Sequence, residues 1–96
     1  MRRAAKVDAN QADITAKLRQ LGASVEPRLA TLGKGAPDLL VGFAGANYLL
    51  EVKDGAKPPS RRNLTPDERA WHDAWRGQVQ TVETWQEAAR AIGALR

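Results

Sequence analysis

Apolar positions recur with two different periods along the chain, and each period predicts a type of element. In the first quarter, Ile14, Leu18 and Leu21 follow one another at steps of four and three. Steps of this size place apolar side chains on one face of a helix. The spacing therefore predicts a first helix over residues 8–21.

The middle of the chain has the features of strands. Residues 24–32 predict only a weak edge strand, because Pro27 has no N–H to donate to a ladder. Residues 38–43 are a short apolar run, and residues 48–53 alternate with a period of two. Residues 44–47 lie between these two runs and predict the hairpin connection that joins them.

The second half predicts two more helices with a strand between them. Residues 54–63, rich in proline and arginine, predict a loop. Thr65, followed by a proline and then by Glu68 at the third helical position, is typical of a helix start with a capping box. Residues 78–82 predict a fourth strand, and residues 84–95 a last helix with its own capping box.

Length and composition favour one globular domain. The chain has 96 residues, of which 43% are hydrophobic and 27% charged, which suits a single core. The predicted order is helix, three strands, helix, strand, helix. We therefore expect an α/β fold with a mixed sheet, as one domain over residues 1–96 in which residues 1–7 are a basic N-terminal tail.

The residue types exclude several kinds of site. There is no cysteine and one histidine, so disulfides, thiolate zinc sites and a cysteine nucleophile are excluded, and any metal must be bound by oxygen. No apolar run approaches the roughly 20 residues that span a bilayer, and the basic start lacks the apolar stretch of a secretory signal. We expect an intracellular, cytoplasmic protein that does not bind membranes.

The basic charge is concentrated in parts of the chain. Lys and Arg outnumber Asp and Glu by 15 to 11, and residues 1–34 hold seven basic and three acidic groups. Clustered basic side chains attract phosphates, although solvated surface charge is the alternative explanation. The predicted phosphate contacts are Lys34, Lys57, Arg61 and Arg62.

Two carboxylates and a lysine meet at one end of the predicted hairpin. Asp38 starts one strand, and the period of two projects Glu51 and Lys53 from one face of the other, so that Asp38 and Glu51 are direct or diagonal cross-strand neighbours. Two carboxylates this close repel each other unless a cation lies between them. Mg²⁺ or Mn²⁺ fits, with the Val52 carbonyl as a third protein oxygen. Lys53 is then placed to neutralise charge that develops on a phosphate.

These residues resemble a known nuclease signature. Pro37-Asp38 followed by Glu51-Val52-Lys53 is similar to the motif of the PD-(D/E)XK nuclease superfamily, whose core has the order αβββαβ. The chain looks most like the small stand-alone VRR-NUC proteins of phages and bacteria, over roughly residues 8–90. The runs that carry this likeness are residues 33–41, 48–53 and 64–68.

The resemblance implies roles for individual residues. Asp38 and Glu51 correspond to the metal ligands, Val52 to the residue that lends its carbonyl, and Lys53 to the catalytic lysine. Gln11 is the best match to the acidic or amide residue on the first helix, which would orient water or phosphate. The implied activity is that of an endonuclease dependent on Mg²⁺ or Mn²⁺ that cuts branched, four-way junction DNA as a homodimer, without an organic cofactor.

Some residues have a structural alternative. Gln11 can instead close a capping box with Asp8, and Asn10 is an equally suitable cap. Glu68 is interpreted mainly as a cap, and His72 as an exposed partner of Glu68. The three tryptophans have helical spacing, which favours core packing over base stacking. They are Trp71, Trp75 and Trp85.

Two other functions fit the same residues. A module that binds nucleic acid without cutting it would keep the fold and the basic loop, and would bind DNA without a metal. A regulator that acts through protein contacts has no motif in the sequence, and its binding would be insensitive to salt, unlike phosphate recognition.

Overall fold

The structure is a computed structural model that describes residues 9–95. The predicted tail and the proposed cap at Asp8 lie outside these residues. The elements follow the predicted order, with two short helices added. They are α1 (Ala9–Gln20), β1 (Ser24–Glu26), a 3-10 helix (Leu29–Leu32), β2 (Leu39–Phe43), β3 (Ala46–Val52), α2 (Pro59–Arg62), α3 (Pro66–Ala74), β4 (Gln80–Val82) and α4 (Trp85–Ala91).

The four strands form one mixed sheet in the order β1-β2-β3-β4. The first three are antiparallel, and β4 pairs parallel to β3. A parallel pair needs a crossover, because the chain must return to the same end of the sheet. Helices α2 and α3 lie in this connection, and the predicted mixed αβββαβ core with a C-terminal helix is confirmed.

The core lies on one face of the sheet. Helices α1 and α4 contact each other and cover this face. Every second residue of the hairpin strands points into it, since Leu39, Val41 and Leu50 are fully buried. The other large buried side chains come from the two helices and β4, namely Ile14, Leu18, Val82 and Ile92.

The hairpin turn is tighter than predicted. Its two central residues are Ala44 and Gly45, with φ angles of 51° and 83°, and Phe43 pairs directly with Ala46. Two-residue turns with positive φ at both positions match the twist of the strands. The prediction of a connection over residues 44–47 is therefore wrong by two residues.

Two predicted strands are shorter than expected. β1 ends just before Pro27, and a 3-10 helix replaces the rest of the predicted strand. β4 begins at Gln80, because the side chain of Gln78 takes over the sheet contacts: Leu49 N–H donates to its Oε1 at 2.7 Å and its Nε2 donates to the Leu49 carbonyl at 3.2 Å. One amide side chain thus takes the place of a residue of strand backbone.

The second face of the sheet is only partly covered. Helix α3 crosses it and leaves an apolar groove of about 420 Å³, which is lined by Leu40 and Leu49 of the sheet and by Trp71 and Trp75. The two indoles stack with centroids 4.7 Å apart, and Trp75 is 45% exposed. Core packing of Trp75 is therefore a wrong prediction, since α3 ends at Ala74 and Trp75 follows it at the edge of the open groove.

No helix among the described residues is long and apolar enough to cross a membrane.

Candidate active site

The hairpin brings the two predicted carboxylates together. β2 and β3 pair so that Leu39 lies opposite Leu50, and Asp38 and Glu51 are the next residues outward along the two segments. Opposite residues of an antiparallel pair share a face, so this register brings both side chains to the face that carries α3. The sequence predicts direct or diagonal neighbours, and the register corresponds to the direct arrangement. Glu51 is nearly enclosed, with 2% of its surface exposed.

A backbone hydrogen bond fixes Asp38. The Val52 N–H donates to Asp38 Oδ2 at 2.8 Å, so the aspartate side chain continues the ladder beyond Leu39. The N–H and the C=O of one strand residue point to the same side of the strand. The Val52 carbonyl is therefore directed toward the side of β3 on which Asp38 lies.

Lys53 is held between two carboxylates. Its Nζ lies 2.7 Å from Glu68 Oε1 and 3.7 Å from Glu51 Oε2, and only 12% of its side chain is exposed. The short contact is to Glu68, on the first turn of α3, and the longer one is to Glu51 on its own strand. Lys53 thus links the sheet to the helix above it.

Burial and crowding favour the neutral forms of the two hairpin carboxyls. Burial raises the pKa of Glu51 to about 9, and the nearby charges of Asp38 and Glu68 push it in the same direction. Burial also raises the pKa of Asp38. The hydrogen bond from Val52 lowers it, but the effect of burial is larger. The site holds more carboxylates than one lysine can neutralise.

The Lys53–Glu68 pair favours the charged forms. Burial alone would lower the pKa of Lys53, but the hydrogen bond and the charge of Glu68, with those of Glu51 and Asp38, raise it overall. Burial alone would raise the pKa of Glu68, and the Lys53 ammonium lowers it overall. Each partner keeps the other ionised.

The oxygen donors fit a hard divalent cation. Glu51 Oε1 is buried and has no hydrogen-bond partner within residues 9–95, which leaves one carboxylate oxygen available beside Asp38. No group of three His, Cys, Asp or Glu side chains in that part of the chain has the arrangement of a metal site. Two carboxylates and a carbonyl suit Mg²⁺ or Mn²⁺, since such ions keep several waters and take phosphate oxygens. The assignment of Asp38, Glu51 and Val52 as metal ligands stays a prediction.

Glu68 is both a cap and a member of the site. Its backbone N–H donates to Thr65 Oγ1 and its Oε1 accepts from the Thr65 N–H, so the predicted capping box is confirmed. The same Oε1 also binds Lys53. The capping contact between Glu68 and Thr65 can be predicted from the sequence, because it is local. The contact between Glu68 and Lys53 depends on where α3 crosses the sheet, and no local pattern predicts it.

A glycine sets the position of α3 over the site. Gly35 has a φ of 85°, and a Cβ atom at this position would overlap the carbonyl group of Asp67. The loop before Asp38 therefore contacts the backbone of the first turn of α3 directly. Only a residue without a side chain allows this approach.

Asn10 supports the site from the other side. Its Nδ2 donates to the carbonyls of Lys53 at 2.8 Å and Glu83 at 2.9 Å, which joins the ends of β3 and β4 to the start of α1. The sequence indicates Asn10 only as a helix cap and does not show these contacts. The partners are 43 and 73 residues away along the chain, beyond the reach of any local motif.

Gln11 lies one residue further along α1. Its Nε2 donates to the carbonyl of Pro27 at 3.1 Å, just beyond β1. This bond commits one amide hydrogen to the scaffold, and the proposed role of Gln11 in catalysis stays a prediction.

The predicted phosphate contacts separate into two groups. Lys57 and Arg61 line a polar cleft of about 210 Å³ together with Lys53, next to the carboxylates. Arg62 points elsewhere, with Nη1 3.8 Å from Glu83, and Lys34 is exposed in the loop before Asp38. The structure therefore brings Lys57 and Arg61 to the candidate site, and Arg62 and Lys34 are not among the residues that line its cleft.

The expected exposed pairing of His72 with Glu68 is wrong. The imidazole is partly buried, its Nε2 has no hydrogen-bond partner among the described residues, and its ring lies 6.2 Å from that of Trp71 in an edge-on arrangement. Glu68 gives its carboxylate to Lys53 and Thr65 instead. Burial lowers the pKa of His72.

One comparison with known proteins supports the fold. No family model and no curated protein matches the sequence. A solved structure described as a VRR_NUC domain matches with 26% identity and a TM-score of 0.62, covering 86% of this chain and 89% of that one. The match includes most of the fold and confirms the resemblance that the motifs indicate. In its fold and its motif residues the chain is similar to a VRR_NUC domain, and this likeness indicates a function of the general nuclease type.

Proposed function

We propose that the protein is an endonuclease that hydrolyses DNA phosphodiesters and depends on Mg²⁺ or Mn²⁺. The observation that carries the proposal is the half-buried Asp38 beside the buried Glu51, with the Lys53 ammonium 3.7 Å from Glu51. Such a pair is costly to bury. A bound cation would offset this cost, which is why the pair supports a metal-dependent activity.

Each residue of the site has a distinct task. Asp38 and Glu51 would hold the cation with the Val52 carbonyl, and a bound cation would supply an activated water and charge stabilisation. Lys53 lies beside Glu51, where its ammonium can stabilise the charge that builds up on a phosphate under attack by water. Lys57 and Arg61 line the adjoining cleft and can hold the phosphate backbone in place.

The proposed substrate is branched DNA, cut by a homodimer. A four-way junction has two strands to cut, and a domain of this size has one candidate site. Two copies related by two-fold symmetry would present two sites. Light scattering after size exclusion should give twice the chain mass for the free protein, and the mass of two chains and one junction for the complex with DNA.

Cleavage of labelled DNA tests the activity. Four-way junction, duplex and single-stranded DNA are incubated with Mg²⁺ or Mn²⁺, with EDTA, and with the folded variant Glu51→Gln. We expect symmetric cuts in the junction that EDTA and the variant abolish. The exposed Asp73→Asn on α3 is the control and should cut as the wild type does.

The second candidate is a module that binds DNA without cutting it, which the basic cleft favours on its own. Tight binding to DNA that stays intact in the presence of Mn²⁺ would support that function. In calorimetry, the wild type would then show no heat of metal binding that is lost in Asp38→Ala. Equal cutting of all three DNA forms would keep the nuclease and discard the preference for junctions.

A further inference from the structure

We infer that Glu68 is a positioning residue, whose carboxylate holds the Lys53 ammonium in the orientation that catalysis needs. The inference rests on the proposed nuclease function and adds to it a residue that the motif does not include. Glu68 Oε1 lies 2.7 Å from Lys53 Nζ, a full ångström closer than the contact between Lys53 and Glu51. The shorter contact belongs to the charge-assisted hydrogen bonds, which are the stronger class.

Lysine needs such a partner at this position. Its ammonium is a point charge on four flexible methylenes, so a strand alone places the Cα atom but leaves Nζ free to move. Glu51 holds it less firmly, because its Oε2 lies 3.7 Å from Nζ, whereas Glu68 Oε1 lies within hydrogen-bonding distance at 2.7 Å. The carboxylate of Glu68 is therefore the group that fixes the ammonium.

Glu68 is itself fixed from three directions. Its Oε1 accepts the Thr65 N–H at 2.9 Å, and its N–H donates to Thr65 Oγ1 at 3.2 Å. The backbone of this turn lies against Gly35. Only 18% of the Glu68 side chain is exposed. A carboxylate held this firmly can orient a flexible lysine, because groups on rigid elements position their neighbours most accurately.

The alternative is that Glu68 only caps α3. The variant Glu68→Gln separates the two roles, because glutamine also suits the third position of a capping box but carries no charge for Lys53. Asp67→Asn is the matched control. It removes a neighbouring negative charge from the same helical turn, where acidic residues stabilise the helix through its dipole. The side chain of Asp67 is exposed.

The first measurement does not depend on cleavage. Urea unfolding in EDTA compares the wild type with Glu68→Gln, Lys53→Met and the double variant. Substitutions of paired groups have non-additive effects on stability. We therefore expect the shift of the urea midpoint in the double variant to differ from the sum of the shifts in the two single variants. Additive shifts would show that the ion pair does not hold Lys53 and would overturn the inference.

The second measurement is the single-turnover rate at saturating DNA and Mn²⁺. Glu68→Gln should slow cleavage by about 10- to 100-fold, the range for partners that orient a functional ligand, with unchanged DNA affinity and an unchanged Mn²⁺ requirement. Asp67→Asn should cleave at the wild-type rate. In the Lys53→Met background, Glu68→Gln should cause no further loss.

Other outcomes separate this inference from the proposed function. Wild-type cleavage that Glu68→Gln leaves intact overturns the inference and keeps the nuclease. Equal slowing by Glu68→Gln and Asp67→Asn assigns Glu68 to the helix start alone. An increased Mn²⁺ requirement makes it a metal ligand instead. If the wild type cuts no DNA, the proposed function fails, and the unfolding cycle still decides whether Glu68 holds Lys53.

Discussion

The two faces of the sheet differ in what they bury. On the face covered by α1 and α4, neighbouring strands contribute apolar side chains such as Val41 and Leu50, which are fully enclosed. On the face crossed by α3, the same strands contribute Asp38, Glu51 and Lys53, beside an open apolar groove. Apolar burial stabilises a fold, whereas the burial of like charges opposes it. The face covered by α1 and α4 therefore provides most of the stability of the fold. The face crossed by α3 carries the candidate site, which lowers that stability.

The sharpest test of this division is Asp38→Asn. Removal of one carboxylate should lower the cleavage rate by about 10²- to 10³-fold or more, the range for single groups that stabilise transition-state charge. It should also raise the melting temperature in EDTA, because Asp38 and Glu51 disfavour each other's ionisation. The asparagine oxygen can still accept the Val52 N–H.

Cleavage assays and thermal unfolding on the same preparation measure both effects. A variant that loses activity and also melts earlier would mean that Asp38 supports the fold. The division between the faces would then be wrong at this residue.

Two adjacent leucines compare the faces directly. Leu50 is fully buried in the core, and Leu49 lines the groove on the other side. Leu50→Ala should reduce the free energy of unfolding by about 2–5 kcal/mol. Leu49→Ala should reduce it by about 1–2 kcal/mol, because less apolar surface is lost. Urea denaturation provides both values, and equal losses would show that the groove face is packed as well as the core.

The last test is a pH dependence that originates on the site face. The pKa of Glu51 is about 9 in the folded chain, against an ordinary value of 4.5. Between these values the folded chain keeps a proton that the unfolded chain releases, so stability falls as pH rises. The contribution of neutral Glu51 is complete below the lower value and is lost as the pH approaches the upper one. The raised pKa of Asp38 acts in the same direction.

Melting curves in EDTA from about pH 5 to pH 9 should therefore show a decline for the wild type, in line with the raised pKa of Glu51. Glu51→Gln should show a shallower one, since glutamine does not titrate. Parallel declines for the two proteins would assign the pH dependence to other groups.

Local patterns in the sequence predict the hairpin and the three side chains of the candidate site. The period of two assigns Glu51 and Lys53 to one face, and the apolar run before the turn brings Asp38 alongside. The turn was misplaced because Ala44 adopts a positive φ, which alanine rarely does. The pattern of strands determines which residues meet, and the turn determines their register.

Other features depend on tertiary packing and could not be predicted. The contact of Glu68 with Lys53 requires α3 to cross the sheet at the height that Gly35 allows. The bonds from Asn10 join three distant parts of the chain. The helical spacing of Trp71 and Trp75 suggests a buried stripe, but spacing contains no information on how much of the sheet a helix covers.

The two hydrogen bonds of Asn10 also have a consequence for synthesis on the ribosome. Asn10 emerges well before one of its two partners, Glu83, which follows 73 residues later in the chain. Helix α1 likewise packs against α4. The support beneath Lys53 is thus incomplete until residues 80–91 have left the exit tunnel. A nascent chain that carries the whole motif, from Asp38 to Lys53, should still lack the assembled site, so the activity proposed here would appear only after residues 80–91 have emerged.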